Sequence, residues 1–497
     1  MNKPKLFRLA RTAGLVLILL STACQPFLIT PVPEPVVEEV PALPTPEGPV
    51  PTPLPAREPF EPGTLVKYIA QTGDSLTALA FRFNTTESEI RKANPVIPDD
   101  ATTMPPGFPM QIPIYYRPLW GTPYQILPDS LFVNGPAQRD FDAVAFVDAQ
   151  PGWLKSYSVS LATGNLRGGE IVNHVTANYS ISPRLFLAML EYQLGALTNP
   201  EVPESIERYS LGYRHPQYPG LLRQLTWAAN TLNNAYYSWR TGHLDTFDHL
   251  DGRTERPDPW QNAATVALQY YYSKLFPDDA YNYAVSGSGL KQTYQNLFGD
   301  PWVNVTAHIE GSLRQPVLTL PFAAGRSWAF TGGPHTGWGE GEPYSALDFA
   351  PPSVVGGCSK AEDPATAVAN GVISSIGDAQ AMLDLDGDGD ERTGWVLLYL
   401  HLANDSLPAV GAVMQLGDPI GMPSCEGGRA TGSHVHIARK YNGEWIPAEG
   451  VLAFNLDGWI AKNGESAYEG TLTKLGRSIR ACVCSDANSQ LRANAPQ

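Results

Sequence analysis

Hydrophobic and polar positions alternate differently in different stretches of the chain, and each rhythm predicts a different element. Near the N-terminus an apolar-alternating run around Tyr68 reads as a strand. Next, Asp74 or Ser75 caps a helix whose Leu76, Leu79, Ala80 and Phe83 share one face. Glu87 to Ala93 predicts a second short helix and Met110 to Ile114 a closing strand, a βααβ order. From Ser182 to Leu197, Leu221 to Trp239 and Trp260 to Phe276 the apolar spacing is helical, with turn clusters at Pro200–Pro203 and Asp251–Pro259 between them. Further on the period shortens. Trp395 to His401 is an apolar strand, and Gly432 to Ala438 alternates so that His434 and His436 project to one face. The pattern therefore predicts a multidomain chain with a small βααβ unit, a mostly α middle and a mostly β, antiparallel C-terminal part.

Composition narrows the functional classes. With a net charge of −15, 17% charged residues and no basic block, the chain is a poor nucleic-acid ligand, because phosphate contacts need clustered Lys and Arg. No apolar run after the first 30 residues reaches the roughly 18 needed to span a bilayer. The first 24 residues carry Lys3, Lys5, Arg8 and Arg11, an apolar centre from Ala13 to Leu20, and small residues before Cys24. They resemble a bacterial lipoprotein signal, which implies export and lipidation of Cys24 as a membrane anchor. Residues 25–63 read as a linker: 12 of the 32 residues from 31 to 62 are proline, interspersed with glutamates. Such a segment is stiff and solvated, spanning about 100 Å at roughly 3 Å per residue. Four further cysteines, Cys358, Cys425, Cys482 and Cys484, form an even set that points to disulfides, with three possible pairings; Cys358 with Cys425 is expected, since both flank the motifs below.

Residues 64–115 resemble the LysM module: Tyr68-Ile-Ala-Gln-Thr-Gly73-Asp74-Ser75-Leu76, Leu79-Ala80, Phe83, Ile90, Asn94-Pro95, Gly107 and Ile112-Pro113 fall in its order. The resemblance implies binding of N-acetylglucosamine-containing glycans such as peptidoglycan, with candidate contacts at Gly73, Asp74, Ser75, Leu76 and Asn94. In the middle region, 120–312, the stretch from Ile181 to Gly195 resembles the catalytic helix of lysozyme-like lytic transglycosylases. Gln193 stands where that family carries its catalytic glutamate, and glutamine cannot donate a proton to a glycosidic oxygen. A lysozyme-like fold without cleavage is the expectation.

The strongest chemical signal lies in residues 313–462. Gly332-Gly333-Pro334-His335, Tyr344 to Asp348, the strand ending at His401, and His434-Val435-His436 place four of nine histidines within about 100 residues. This constellation resembles the lysostaphin/LytM-type zinc endopeptidases of peptidoglycan. The resemblance implies zinc on His335, Asp348 and His436 with one position open for water, and His401 and His434 beside the scissile carbonyl. In the family the first histidine usually stands four residues before the aspartate; here Tyr344 holds that place, and Thr336–Pro343 reads as an inserted loop that lets His335 reach the metal. Asp384, Asp386, Asp388 and Asp390 occupy positions 1, 3, 5 and 7 of a calcium-loop-like run, but Trp395 stands at position 12, so a calcium-stabilised hairpin and a solvated acidic turn stay equally open. Residues 463–497 read as a tail. The leading functional expectation is a wall-directed zinc endopeptidase; a non-catalytic wall-binding protein and a glycosidase acting through the middle domain are the alternatives.

Overall fold

Alternation at the N-terminus becomes a two-stranded antiparallel sheet with two helices laid across it. In the computed structural model, which describes residues 57–494 except 119, 162–163, 304, 353–355 and 485, β1 (Thr64–Ile69) pairs with β2 (Pro109–Ile114). Helices α1 (Leu76–Arg82) and α2 (Glu87–Ala93) lie between them in sequence. The signal segment, Cys24 and the spacer up to residue 56 lie outside the described residues. Ser75 is the α1 cap, its Oγ accepting from the Ala78 N–H at 3.2 Å, while Thr86 and Glu89 close α2 with a reciprocal capping box. Tyr68, Leu79, Phe83, Ile90 and Ile112 fill the small core between sheet and helices.

Residues 120–312 contain α3 (Ala143–Asp148), the hairpin β3 (Ser158–Leu161) and β4 (Gly164–Arg167), α4 (Gly168–Tyr179), α5 (Pro183–Leu194) and the single turn α6 (Glu204–Glu207). They continue with α7 (Leu221–Thr241), the hairpin β5 (Phe247–Asp248) and β6 (Thr254–Glu255), α8 (Ala263–Ser273), α9 (Asp278–Ala284) and α10 (Leu290–Phe298). Along α7, Leu221, Leu225, Ala228, Leu232, Tyr236 and Trp239 recur at three- and four-residue spacing and are buried, so one face of this long helix is core. Truncating Leu232, which has no exposed surface, costs on the order of 2–5 kcal/mol. The dense aromatics pack the interior: Phe132 stacks on Tyr236 at 4.3 Å and Tyr213 on Trp227 at 4.0 Å. Gln193 is buried, donating to the Leu211 carbonyl at 2.8 Å and accepting from the Tyr271 hydroxyl at 3.0 Å. Glu191 accepts from the Leu197 N–H and the Thr198 hydroxyl, closing the turn after α5. Both side chains are structural fasteners.

The C-terminal part is built on one antiparallel sheet, in the order β13 (Val413–Met414), β10 (Gly371–Gly377), β11 (Gln380–Asp384), β12 (Trp395–Leu400), β15 (Val435–Tyr441), β8 (Tyr344–Ala350), β7 (Ser327–Thr336) and β21 (Gln490–Arg492), with β16 (Glu444–Trp445) against β15. A short pair, β9 (Ala365–Thr366) with β14 (Pro419–Gly421), flanks it. Four more strands, β17 (Asn455–Leu456), β18 (Trp459–Asn463), β19 (Gly470–Lys474) and β20 (Arg477–Arg480), form a second sheet. The expected tail is thus part of the fold: Leu472, Ile479 and Leu491 join the same core as Phe330 and Leu347, and β21 completes the edge of the main sheet. Strands of three to five residues carry too short an apolar pattern to be recognised in the sequence. Both disulfides are formed, Cys358–Cys425 as expected and Cys482–Cys484 as the remaining pair. Among the described residues no helix is long and apolar enough to cross a membrane.

One buried side chain ties the three parts together. The Arg240 guanidinium, at the end of α7, pairs with Asp129 at 3.1 Å and with Glu444 of β16 at 3.2 Å, and it donates to the Thr72 carbonyl of the N-terminal unit. Glu444 also accepts from Tyr236 at 2.8 Å and lies 2.6 Å from His308 Nε2. Burial works against its charge, yet Arg240 and His308 hold the carboxyl down at about 2.

Candidate metal centre

Sheet order alone gathers the candidate ligands. β12, β15, β8 and β7 are neighbours, and the register aligns Leu400 with His436, His436 with Asp348, and Asp348 with Gly332 in one row across the sheet. His401 follows β12 in a left-handed conformation (φ 64°), which turns its ring back over the row. β7 does not stay in register. Four residues of β7, Gly332 to His335, lie opposite three of β8, Asp348 to Ala346, so an extra residue bulges out. Such a bulge re-aims the side chain that follows it, and His335 swings onto the face of Asp348. This accounts for the spacing of thirteen residues between them: the strand itself makes the adjustment. The loop Gly337–Pro343 beyond it is instead held by α7, where Asn230 and Asn234 bond the backbone of Glu340 and Glu342 at 2.8–3.1 Å.

The ligand atoms converge. His335 Nε2 is 3.0 Å from His436 Nδ1, and Asp348 Oδ1 is 3.3 Å from each. A tetrahedral ion bound at about 2.0–2.2 Å spaces its ligand atoms by roughly 3.3–3.5 Å, so the three side chains already stand near that geometry. The other nitrogen of each ring faces a carbonyl: His335 Nδ1 meets Gly333 O at 2.8 Å and His436 Nε2 meets Gly337 O at 3.1 Å. Each of these nitrogens must carry the hydrogen, which leaves the inward nitrogens as bare lone pairs. Asp348 Oδ1 is buried without a hydrogen-bond donor. Three converging lone pairs need a positive charge between them. Burial disfavours a charged His335, but Asp348 outweighs it and raises the imidazole's pKa; burial would raise the Asp348 carboxyl, but His335 and His434 hold it far below its usual range. A divalent cation in that position would take the place of a proton, and the donor set of two imidazoles and one carboxylate suits zinc.

His401 and His434 border this cluster, their rings 4.6 Å apart, with His434 Nε2 3.8 Å from Asp348 Oδ1. Their Nδ1 atoms also face carbonyls, Glu426 O and Gly432 O, each at 2.8 Å, so both Nε2 atoms are free to accept a proton. Burial, with the neighbouring His434 adding to it, lowers His401 to about 4 and keeps it neutral at ordinary pH. The carbonyls were not singled out from sequence. Their signal is a repeated Gly-x-His at Gly333–His335 and Gly432–His434, where the glycine carbonyl folds back onto the ring two residues later. Tyr468 was missed as well: its ring stacks on His335 at 4.1 Å, and its backbone brackets Pro334 through Gly333 N–H to Tyr468 O at 2.8 Å and Tyr468 N–H to Pro334 O at 3.2 Å. It comes from the stretch that had read as a tail.

The other predicted sites divide. Asp384, Asp386 and Asp388 offer oxygens within 4.8 Å of one another. Asp390, the expected fourth member, is drawn away by Arg392 at 2.7 Å and Arg139 at 3.0 Å, and Asp388 also pairs with Arg139 at 3.0 Å. The calcium-like run is in large part an arginine-docked acidic turn. Of the five glycan candidates, three are occupied within the N-terminal unit. Asp74 accepts from Tyr68 at 2.6 Å and pairs with Arg82 at 2.8 Å, Asn94 bridges α2 to Gln111, and Leu76 is core. Gly73 and Ser75 line a 370 Å³ cleft shared with Thr103, Arg240 and Tyr344.

Comparison with known proteins agrees with this layout. Residues 68–113 match the LysM domain family, and residues 125–310 match the family described as "LasA, N-terminal domain". Protease LasA of Pseudomonas aeruginosa (strain UCBPP-PA14) is 26% identical over 346 residues, 65% of this chain and 76% of that protein. The beta-lytic metalloendopeptidase of Achromobacter lyticus is 29% identical over 161 residues, 31% of this chain and 40% of its own length. Among solved structures, the M23 metalloprotease pseudoalterin is 24% identical with a TM-score of 0.28, covering 34% of this chain and 96% of its own. The chain, carrying a LysM domain, is a metalloendopeptidase homologous to the LasA proteases.

Proposed function

We propose that the protein is a zinc-dependent endopeptidase that hydrolyses peptide cross-links of bacterial peptidoglycan, is brought to wall glycan by its LysM domain, and is exported and tethered through a lipid on Cys24. The observation that carries this reading is the convergence of His335 Nε2, Asp348 Oδ1 and His436 Nδ1 with their outer nitrogens held by carbonyls. Zinc held there would polarise the scissile carbonyl and lower the pKa of a bound water. His335, Asp348 and His436 would hold the ion; carbonyls fix both imidazole rings, and Tyr468 stacks on that of His335. His401 and His434 present bare Nε2 atoms on the open side: one accepts a proton from the attacking water, and the protonated ring then delivers it to the leaving amine nitrogen. Water oxygen ends on the carbonyl carbon, the C–N bond breaks, and the two new termini separate.

The test is incubation of the purified chain with isolated peptidoglycan, with and without a chelator. New amino termini that disappear on chelation and return with zinc are expected. Reducing sugar ends in their place would make the protein a glycosidase, and no product of either kind would make it a non-catalytic wall-binding protein.

A further inference from the structure

The LysM domain does not meet the rest of the chain through a bland surface. Residues 308–314, which run from the helical part to the peptidase sheet, lie in the trough between the turn at Thr72–Ser75 and the turn at Asp100–Pro105. Their backbone is read almost atom by atom. The Thr72 hydroxyl donates to Ile309 O at 3.1 Å and accepts from Ile309 N–H at 2.9 Å. The Thr103 hydroxyl donates to Glu310 O at 2.6 Å and accepts from Leu313 N–H at 3.0 Å, while Thr103 O accepts from Ser312 N–H at 2.7 Å. Thr102 donates to Leu313 O at 2.6 Å, and Arg314 closes the run on Asp100 at 2.6 Å. Ile309 and Leu313 are each 2% exposed. A Cβ at residue 311 would stand 2.7 Å from Pro105 Cα, so only glycine passes there.

Three threonine hydroxyls that pair with backbone rather than side chains are the chemistry of extended-peptide recognition. They are also the donors and acceptors a sugar hydroxyl would need, and they sit beside Gly73 and Ser75. We infer that this trough is a peptide seat occupied by the chain's own residues 308–314, so that an N-acetylglucosamine oligomer and the segment exclude each other on the LysM domain. This rests on the reading of the LysM domain as the glycan-binding part. The far end of the strap is fastened to the hairpin after β15: Asn442 donates to His308 O at 2.7 Å and His308 meets Glu444 at 2.6 Å. The seat is therefore filled by default. A ligand that needs an empty trough binds with its intrinsic affinity reduced by the fraction of molecules in which the strap has left.

The test combines affinity for N-acetylglucosamine pentamer with amide hydrogen exchange of peptides spanning 308–314, on the full chain and on Gly311→Val and Arg314→Ala. Gly311→Val forces the strap off Pro105; Arg314→Ala removes only its outer clasp and guards against a variant that misfolds. The expected result is faster exchange at 308–314 in both variants, pentamer affinity rising about tenfold or more in Gly311→Val and less in Arg314→Ala, and faster exchange in the wild type on saturation with pentamer. Equal affinity across the three proteins, or bound pentamer with unchanged exchange, would overturn the inference. If exchange rises in the variants and none of the three binds pentamer, mutual exclusion is also overturned, and the glycan reading of the LysM domain falls with it; the exchange data separate that outcome from a strap that never left.

Discussion

Two clusters of the C-terminal part bring acidic or imidazole groups within reach of one another, and they differ in what their other atoms do. At His335 and His436 each outward ring nitrogen has a backbone carbonyl partner, and the inward nitrogens and Asp348 Oδ1 have none but each other. At Asp384 to Asp390 the inward oxygens are satisfied from within: Asp384 accepts from Gly389 N–H at 2.8 Å and Asp386 N–H at 3.2 Å, Asp388 from Asp390 N–H at 2.8 Å, and Arg139 and Arg392 supply the counter-charge. Proximity of ligand-type residues is common to both. Unspent lone pairs in a buried row are particular to the first, and they are the better mark of a metal centre.

Exchanging the ligands should break the symmetry between the clusters most strongly. His436→Ala is expected to lose the bound zinc and all detectable hydrolysis, whereas Asp386→Asn retains both; metal content by mass spectrometry and release of amino termini from peptidoglycan check the pair. Retention of one zinc by His436→Ala, or its loss in Asp386→Asn, would invert the assignment. A smaller effect is expected at the rim. His401→Ala should keep the metal and lower turnover by about 10²–10⁴-fold, the usual contribution of a positioned acid–base group. The smallest effect concerns Asp384, whose carboxyl is pushed up to about 6, by burial first and by the Asp386 charge after it. Its folded value lies above its unfolded one. Protonation therefore favours the folded hairpin: the contribution is fully present below pH about 4 and is lost as pH rises through 6. Carboxyl NMR should show that midpoint, and a fall on adding millimolar calcium would show that the acidic turn holds a cation after all.

His434 and His436 were legible because a strand has a period of two, which puts both on one face wherever the strand goes. The βααβ unit was legible for a similar reason, its helix caps and apolar face being local. His335 was a weaker inference. Whether a residue thirteen positions from its partner can share a site depends on strand pairing, and here on a bulge in β7 that no local pattern announces. Arg240, Glu444 and His308 gave no signal, since a buried ion pair looks like any surface charge until the elements around it are packed. Asp74 and Asn94 match a binding pattern in the sequence, and the structure shows each of them hydrogen-bonded within the unit.

Local order along the chain was enough to determine the βααβ order of the LysM domain, its helix caps, the alternating histidine pair and the chemical type of each candidate ligand, because those properties act over a few residues. Only tertiary structure decided which ligands meet, which acidic groups are neutralised, that the last thirty residues brace His335 through Tyr468, and that residues 308–314 fill the LysM trough. Each of these depends on contacts between segments tens to hundreds of residues apart, whose free energy is set by the packing of the whole and is written in no single stretch.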